Sequence, residues 1–267
     1  MPLSILENNI NNTVTAPDIK QMLENGMTNY WQDRSESYSD QNMAQLFSDK
    51  KVAWESLIFG QVTENRRLDI LDIGTGPGFF AILSALRGHN VTAADMSPDM
   101  LEKAAENARL VGADINFKHV GRMLPFENKS FDLIMSRDVT WTLTDPEEQL
   151  RHWADKLKVG GTMVYFDSEW YYYLKDIKYR KELEENRRKV KENGGFLYGK
   201  AKSMENLALS LPMTYKNRPV WDRKFWRAQN GFECEIYENI NQYVYNEKEQ
   251  MQYELFPEFF AVIRRTH

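Results

Sequence analysis

The chain has 267 residues, 42% hydrophobic and 27% charged, which suits a globular protein with a core large enough to need no staple. Its 34 basic side chains against 39 acidic ones leave a formal charge of −5, which argues against the basic footprint of a duplex nucleic-acid binder. The lone cysteine, Cys234, excludes an internal disulfide and a cysteine-based metal site, and no apolar run approaches the roughly 18 residues of a membrane span.

The opening stretch MPLSILENNINNTV lacks the basic start and long apolar core of a signal peptide, so the expectation is a soluble cytoplasmic protein acting on something small. The first 28 or so residues read as a loose arm or a docked helix. Helical spacing follows from Tyr30 to Gln61, and residues 1–60 are taken as a helical arm or cap on a domain spanning 61–267. Leu68 to Ile73 is a short strand running into glycines, and Phe79 to Leu86 is apolar almost all round, ending in Arg87 and a glycine stop at Gly88. Val91 to Asp95 is the next strand. Ser97-Pro98 supplies an N-cap and a first-turn proline for a helix from Asp99 to Leu110.

The alternation continues with strands at Asn116–Val120 and Phe131–Ser136. A helix opens at Asp145-Pro146 with acids in its first turn and an apolar face of Leu150, Trp153, Ala154 and Leu157. Gly160-Gly161 is expected to turn into a fifth strand, Thr162–Asp167. Strands alternating with helices over 100 residues predict a doubly wound α/β fold, with a mostly parallel sheet and helices on both faces. After Asp167 the rhythm breaks. Residues 168–217 read as a lid inserted over the carboxyl ends of the strands, with an aromatic run at Trp170–Tyr173. A helix from Lys175 to Glu192 carries eight basic and five acidic side chains, and a solvated surface face is favoured over a docking face. An amphipathic helix near Trp221–Gln229 and β-like stretches at Phe232–Tyr245 and Phe259–Arg264 complete the chain.

The sharpest chemical signal is the stretch LDIGTGPG at 71–78. Three glycines between a strand and a helix let backbone approach a ligand closely, and the helix start offers free N–H groups. A dinucleotide site wants G-x-G-x-x-G, but Gly74, Gly76 and Gly78 are spaced G-x-G-x-G and Phe79 follows, so the pyrophosphate fingerprint is absent. Asp95 closes the second strand 21 residues beyond Gly74, where an acid would accept hydrogen bonds from ribose hydroxyls. Alone, it is equally polar punctuation at a strand end.

These residues resemble the class I S-adenosylmethionine-dependent methyltransferases, of the type acting on small molecules. LDIGTGPG is similar to the family's first motif, AADMSPDML to its second strand-to-helix junction, LPFENKSFDLIMS to its approach to strand four, and LKVGG to the turn before strand five. The likeness covers about residues 66–167, and extends more weakly to YWQDRSESY at 30–38 and FFAVIRR near the C-terminus. It implies a Rossmann-like seven-stranded sheet and S-adenosylmethionine as cofactor, leaving S-adenosylhomocysteine. It assigns Asp72 to the methionine amino group, and Gly74, Thr75, Gly76 and Gly78 to close backbone packing. Asp95 would bind the ribose and Met96 the adenine. The family often has an aspartate at the position of Val120 for the adenine amino group, so backbone at Gly121, Arg122 and Met123 would serve instead.

Strand four ends in Ser136-Arg137-Asp138-Val139-Thr140-Trp141, without the Asn/Asp-Pro-Pro-aromatic motif of members acting on base or amide nitrogens. Arg137 and Asp138 form either a local ion pair or a functional set, with Arg137 near the cofactor carboxylate and Asp138 or Trp141 at the acceptor. Tyr30, Trp31, Tyr38, Trp141, Trp170 and Tyr171 are candidates for the acceptor pocket and its lid, with core packing the competing reading for the Trp170–Tyr173 run. His119 could face the adenine site, though a structural role is favoured. No ligand spacing for a metal and no G-x-S-x-G elbow is present. The expected activity is in-line methyl transfer to a small-molecule acceptor, with neither nucleic acid nor membrane as partner. Asp138, Trp141 and Tyr38 are the catalytic candidates. A non-catalytic cofactor-binding protein, an enzyme acting on a protein partner and, most weakly, a nicotinamide oxidoreductase are the alternatives.

Overall fold

The computed structural model describes residues 16–63, 65–194 and 201–267; the first part of the expected arm and residues 195–200 of the expected lid lie outside the described residues. Two helices come first, α1 (Ala16–Leu46) and α2 (Lys50–Phe59). The alternating unit follows as β1 (Asp69–Ile73), α3 (Phe79–Leu86), β2 (Asn90–Asp95), α4 (Pro98–Val111), β3 (Asn116–His119), β4 (Phe131–Arg137), α5 (Pro146–Asp155) and β5 (Leu157–Asp167). The remainder runs α6 (Ile177–Glu192), α7 (Ala201–Ala208), α8 (Val220–Arg227), β6 (Phe232–Tyr237), α9 (Asn241–Val244), α10 (Glu247–Gln252) and β7 (Phe259–Arg265).

The seven strands form one sheet in the order β3-β2-β1-β4-β5-β7-β6. Neighbours from β3 to β5 are parallel, while β7 runs antiparallel to both β5 and β6. Strand order reverses between β1 and β4, and in an open α/β sheet the crevice outside the carboxyl ends at that reversal is where ligands bind. Alternate residues of the central strands face opposite layers, so Ile70, Leu133, Val164 and Phe260 pack with Trp54, Ile58 and Phe80 on one face. Leu71, Ile134, Tyr165 and Ala261 pack with Leu150, Trp153 and Trp226 on the other. A third cluster of Met27, Trp141, Met204, Ala208 and Leu211 sits apart from the sheet cores and joins α1 to the loop after β4 and to α7.

Local chemistry explains most boundaries. The Ser97 side chain accepts from Met100 N, Pro98 takes the first helical position of α4, and Gly112 ends that helix at φ +71. Four expectations need correction. Gly160-Gly161 lie inside β5, at an irregularity where two residues of β4 span five of β5; a Cβ on Gly161 would meet three backbone carbonyls at 2.9–3.2 Å. The stretch expected as one strand to Tyr245 leaves the sheet after Tyr237, turns at Asn239 (φ 54) and forms α9, because only β7 is available to pair with it. The helix that opens at Asp145-Pro146 stops at Asp155, so Leu157, expected on its apolar face, lies in β5; no side chain caps its start, and the Asp145 carboxylate bonds Lys20 of α1 at 2.7 Å. The helix expected from Lys175 starts at Ile177, capped by the Asp176 side chain, and turns Leu183, Asn186 and Val190 inward while its charges stay outside. No helix among the described residues is long and apolar enough to cross a membrane.

Candidate active site

The turn after β1 is held by its own strand partners. Gly74 N and Thr75 N both donate to Ala94 O of β2, at 2.8 and 3.1 Å. Gly74 adopts φ +65, and a Cβ there would stand 2.3 Å from Val139 Cγ2, so the loop after β4 closes on it in a way no side chain would permit. Gly76 (φ +52) donates its N–H to Asp95 Oδ2 at 2.8 Å, and Ser97 N donates to Asp95 Oδ1 at 2.9 Å. Asp95 therefore orients the glycine turn and the start of α4 while its remaining lone pairs face the cleft. Burial raises its pKa, and the backbone donors oppose the rise.

Asp72 lies beneath the same turn. Its Oδ2 accepts from Thr75 Oγ1 at 2.7 Å and from Ala81 N at 3.1 Å, which ties the loop to the first turn of α3. Burial pushes its carboxyl up to about 6, against those hydrogen bonds and the more distant charge of Arg137. Around these groups a cleft enclosing about 1160 Å³, continuous with solvent, runs along the carboxyl ends of β1, β2 and β4. It is walled by Asp72, Gly74, Thr75, Gly76 and Asp95 on the polar side, and by Met96, Met100, Val120 and Leu124 on the apolar side. Gly121, Arg122 and Arg137 also line it.

Two candidates fall outside this wall. Gly78 heads α3 at φ +93, where a Cβ would come 3.1 Å from Ala104 Cβ, so its geometry serves the approach of α4. Met123 is an exposed surface side chain. His119 Nε2 bonds Met96 O at 3.0 Å from the rim and does not line the cleft.

A second cavity, about 1970 Å³ and also open, adjoins the first. Tyr30, Trp141, Trp170 and Tyr171 line it, and Trp31, Tyr38, Arg137 and Asp138 line both cavities. The aromatic run after β5 divides: Trp170, Tyr171 and Tyr173 line this space, Tyr173 being buried and donating to Glu205 at 2.7 Å, whereas Tyr172 does not. Asp167 organises the wall. Its Oδ2 accepts from Thr140 Oγ1, from Trp141 N at 2.8 Å and from Arg218 at 3.0 Å. Its Oδ1 accepts from Ser168 N at 2.8 Å and from the Trp170 indole at 2.9 Å. Arg218 continues to Asp222, which also accepts from Tyr165.

Arg137 and Asp138 form no direct ion pair. The guanidinium donates to Gln45 and Asn42 of α1, at 3.1 and 3.3 Å, and lies about 5 Å over the rings of Trp54, Phe79 and Phe80. Asp138 takes the left-handed backbone conformation (φ 58), tolerated by a short polar side chain and uncommon outside functional turns. Its N–H donates to Phe166 O at 3.0 Å, while its buried Oδ1 accepts nothing.

Several wall residues escaped the sequence reading. Asn42 and Gln45 follow Tyr38 at helical spacing on α1, a periodicity that extends the face already marked by Trp31 and Tyr38. Tyr245, Tyr253 and Phe256 carried no such signal, since they reach the cavity only through the fold-back between β6 and β7. Among the described residues, no group of three or more His, Cys, Asp or Glu side chains could hold a metal ion.

Comparison with known proteins places this geometry. The methyltransferase domain family matches residues 71–165. The ubiquinone biosynthesis O-methyltransferase of Caulobacter vibrioides is 36% identical over 98 residues, covering 36% of this chain and 39% of the relative. The release factor glutamine methyltransferase of Deinococcus radiodurans is 39% identical over 115 residues, covering 40% and 41%. A rice chloroplast 2-methyl-6-phytyl-1,4-hydroquinone methyltransferase is 33% identical over 99 residues, covering 36% of this chain and 28% of the relative. The chain thus spans between 28% and 41% of the length of these curated relatives.

Among solved structures, the plantazolicin methyltransferase BpumL in complex with S-adenosylhomocysteine superposes with a TM-score of 0.57 at 13% identity, covering 93% of this chain and 98% of that one. A Haemonchus contortus phosphoethanolamine N-methyltransferase gives 0.61 at 16% identity, covering 94% and 50%. At such identities the likeness concerns the fold, which is the Rossmann-like methyltransferase fold with its seven-stranded, mostly parallel sheet.

Proposed function

We propose that the protein, whose residues 71–165 match the methyltransferase domain family, transfers a methyl group from S-adenosylmethionine to a small-molecule acceptor. The observation that carries this reading is the glycine turn bonded to Asp95 across the cleft. Backbone, not side chains, forms that wall, and carboxylates stand at both of its ends. The donor set suits the cofactor. Asp72 would take the methionine ammonium, Arg137 its carboxylate and Asp95 the ribose diol, while Met96, Val120 and Leu124 offer an apolar bed for adenine beside backbone at Gly121. Binding an ammonium next to Asp72 would favour its ionised form, so the carboxyl would release a proton as the site fills.

When bound, the cofactor supplies a methyl group on a positively charged sulfur that leaves as a neutral sulfide. The task left to this chain is to align an acceptor and exclude water. Trp31, Tyr38, Arg137 and Asp138 belong to both cavities and so frame the junction where transfer takes place. The aromatic second cavity supports a small acceptor, as do the relatives named for ubiquinone and hydroquinone chemistry. With a single cysteine, Cys234, a cytoplasmic setting fits this reading.

Calorimetric titration with S-adenosylmethionine and S-adenosylhomocysteine tests it. Micromolar binding is expected, weakened about 100-fold or more in Asp95→Ala, because the change frees two backbone N–H groups and removes charged acceptors worth ~1.5–3 kcal/mol each. Absence of heat with either compound would sink the proposal. Label transfer from methyl-labelled cofactor to a panel of aromatic alcohols and amines then identifies the acceptor.

A further inference from the structure

The aromatic cavity carries the opposite sign of charge to the chain as a whole. The protein has a formal charge of −5, yet the cavity is lined by the cationic side chains Arg34, Lys50, Arg137 and Arg187 against the acids Asp138 and Glu249. Lys50 and Glu249 form an ion pair. Arg137 donates to Asn42 and Gln45 at the edge of the first cavity, which it also lines. Arg34 and Arg187 line the second cavity and not the first.

Helix geometry places both of these guanidiniums. Tyr30, Arg34, Tyr38, Gln41 and Gln45 follow one another three or four residues apart on α1, and all of them line the cavity. Arg34 therefore belongs to the inward stripe of that helix and not to a solvated face. It is half-buried and donates to Tyr30 Oη, one turn back, at 3.2 Å. On α6, Leu183, Asn186 and Arg187 line the same space, and among the described residues of that helix Arg187 is the one basic side chain to do so. Its guanidinium lies 5.6 Å from the centre of the Tyr173 ring. Glu205, which accepts from the Tyr173 hydroxyl at 2.7 Å, does not line the cavity. Between the two arginines and the junction with the first cavity the wall is aromatic, with Trp141, Trp170, Tyr171 and Phe256.

A concave site lined by one sign of charge, with low-dielectric walls, concentrates ions of the other sign. Aromatic surface beside it suits a flat apolar body, with the few polar groups fixing its orientation. A guanidinium presents paired N–H donors that match the oxygens of a carboxylate or a phosphate. Arg34 stands one turn from Tyr38, about 6 Å along the helix axis, and Tyr38 lines both cavities. We propose that the methyl acceptor is an aromatic anion, whose carboxylate or phosphate group is held by Arg34 and Arg187 while its nucleophilic atom reaches the junction of the two cavities. The proposal rests on the methyltransferase reading and narrows its substrate class. Arg34 and Arg187 set specificity and take no part in the transfer itself.

Calorimetric titration of the protein saturated with S-adenosylhomocysteine reads this preference without turnover. The probes are para-hydroxybenzoate beside its neutral amide, para-hydroxybenzamide, and para-hydroxyphenyl phosphate beside neutral hydroquinone. At least one anion should bind about 10-fold or more tighter than its neutral counterpart, and the better of the two tells carboxylate from phosphate. Neutral probes that bind as well as the anions, or no measurable binding by any probe, overturn the proposal. Arg34→Gln and Arg187→Gln should each cut the preference about fivefold or more, by weakening the anion and leaving the neutral probe unchanged. Arg187→Lys keeps the charge and should retain most of the preference. A preference untouched in both glutamine variants seats the anion elsewhere and overturns the assignment. Affinity for S-adenosylhomocysteine should stay within about threefold in every variant, since neither arginine lines the first cavity. Retained S-adenosylhomocysteine binding without a preference for the anion discards the acceptor class alone, whereas lost binding in the wild type discards the methyltransferase reading beneath it.

Discussion

The cleft at the ends of β1 and β2 takes most of its polar wall from one stretch, residues 72–97, whereas the adjoining aromatic cavity draws on α1, the loop after β4, residues 170–187 and residues 245–256. The first is made of backbone held by near neighbours in sequence, with Asp95 and Asp72 bonded to main-chain N–H groups within about ten to twenty residues. The second depends on long-range side-chain bonds, of which those converging on Asp167 from Thr140, Trp141, Trp170 and Arg218 are the clearest. A site built on local backbone tolerates change elsewhere in the chain. A site assembled from distant pieces fails when its anchor fails.

The largest effect expected from that contrast is at the anchor. Asp167→Ala strips five hydrogen-bond donors of their acceptor and leaves Arg218 to Asp222 alone, and should cost about 4 kcal/mol of unfolding free energy in urea. A loss below about 1 kcal/mol would mean that the aromatic wall does not depend on Asp167.

Next comes a pH effect in the cleft beneath the glycine turn. Because burial raises Asp72 from the usual carboxylate range to about 6, the folded chain binds this proton more tightly than the unfolded one. Its stabilising contribution is full below about pH 4 and disappears as pH rises through about 6, a change of roughly 3 kcal/mol. Asp72→Asn has no such group, so the stability of wild type relative to the variant should fall by about that amount between about pH 3.5 and 7.5. Denaturation curves at the two pH values provide the check.

Two glycines two residues apart sharpen the comparison further. Gly74→Ala carries both a left-handed backbone and a 2.3 Å clash with Val139, and should lose about 2–3 kcal/mol. Gly76→Ala meets nothing closer than Tyr38 at 3.5 Å and should lose only about 1 kcal/mol, from backbone strain. Equal losses in thermal unfolding would show that Val139 yields. The smallest effect is at Trp170→Phe, which keeps the ring and removes the indole donor to Asp167. Acceptor KM should rise about threefold with cofactor Kd unchanged, and a change in both would dissolve the distinction between the cavities.

How much was legible in the residues follows the same division. The doubly wound sheet, its parallel half and the glycine-turn cleft were readable because each signal is local. Gly74 and Gly76 follow a β-branched strand, Ser97-Pro98 marks a helix start, and Asp95 ends its strand. Gly78 and Met123 were drawn in by motif position for their backbone; Gly78 admits the close approach of Ala104, and the Met123 side chain is exposed. On the acceptor side, the aromatics of α1 and of 170–171 were legible by type, but not their meeting with Tyr245, Tyr253 and Phe256.

By itself, the order of amino acids determined the alternation of strands and helices and the glycine turn with its exposed backbone, because glycine conformation, capping and apolar period act over a few residues. Only the tertiary structure decided that Tyr245, Tyr253 and Phe256 share a cavity with Asp138, more than a hundred residues before them. That meeting arises where the antiparallel β7 closes against β5, setting Phe259 opposite Asp167 and carrying Glu258 to the carboxyl edge of the sheet. Pairing between distant strands leaves no periodic trace in either segment, so the cavity wall at that edge is a property of the fold.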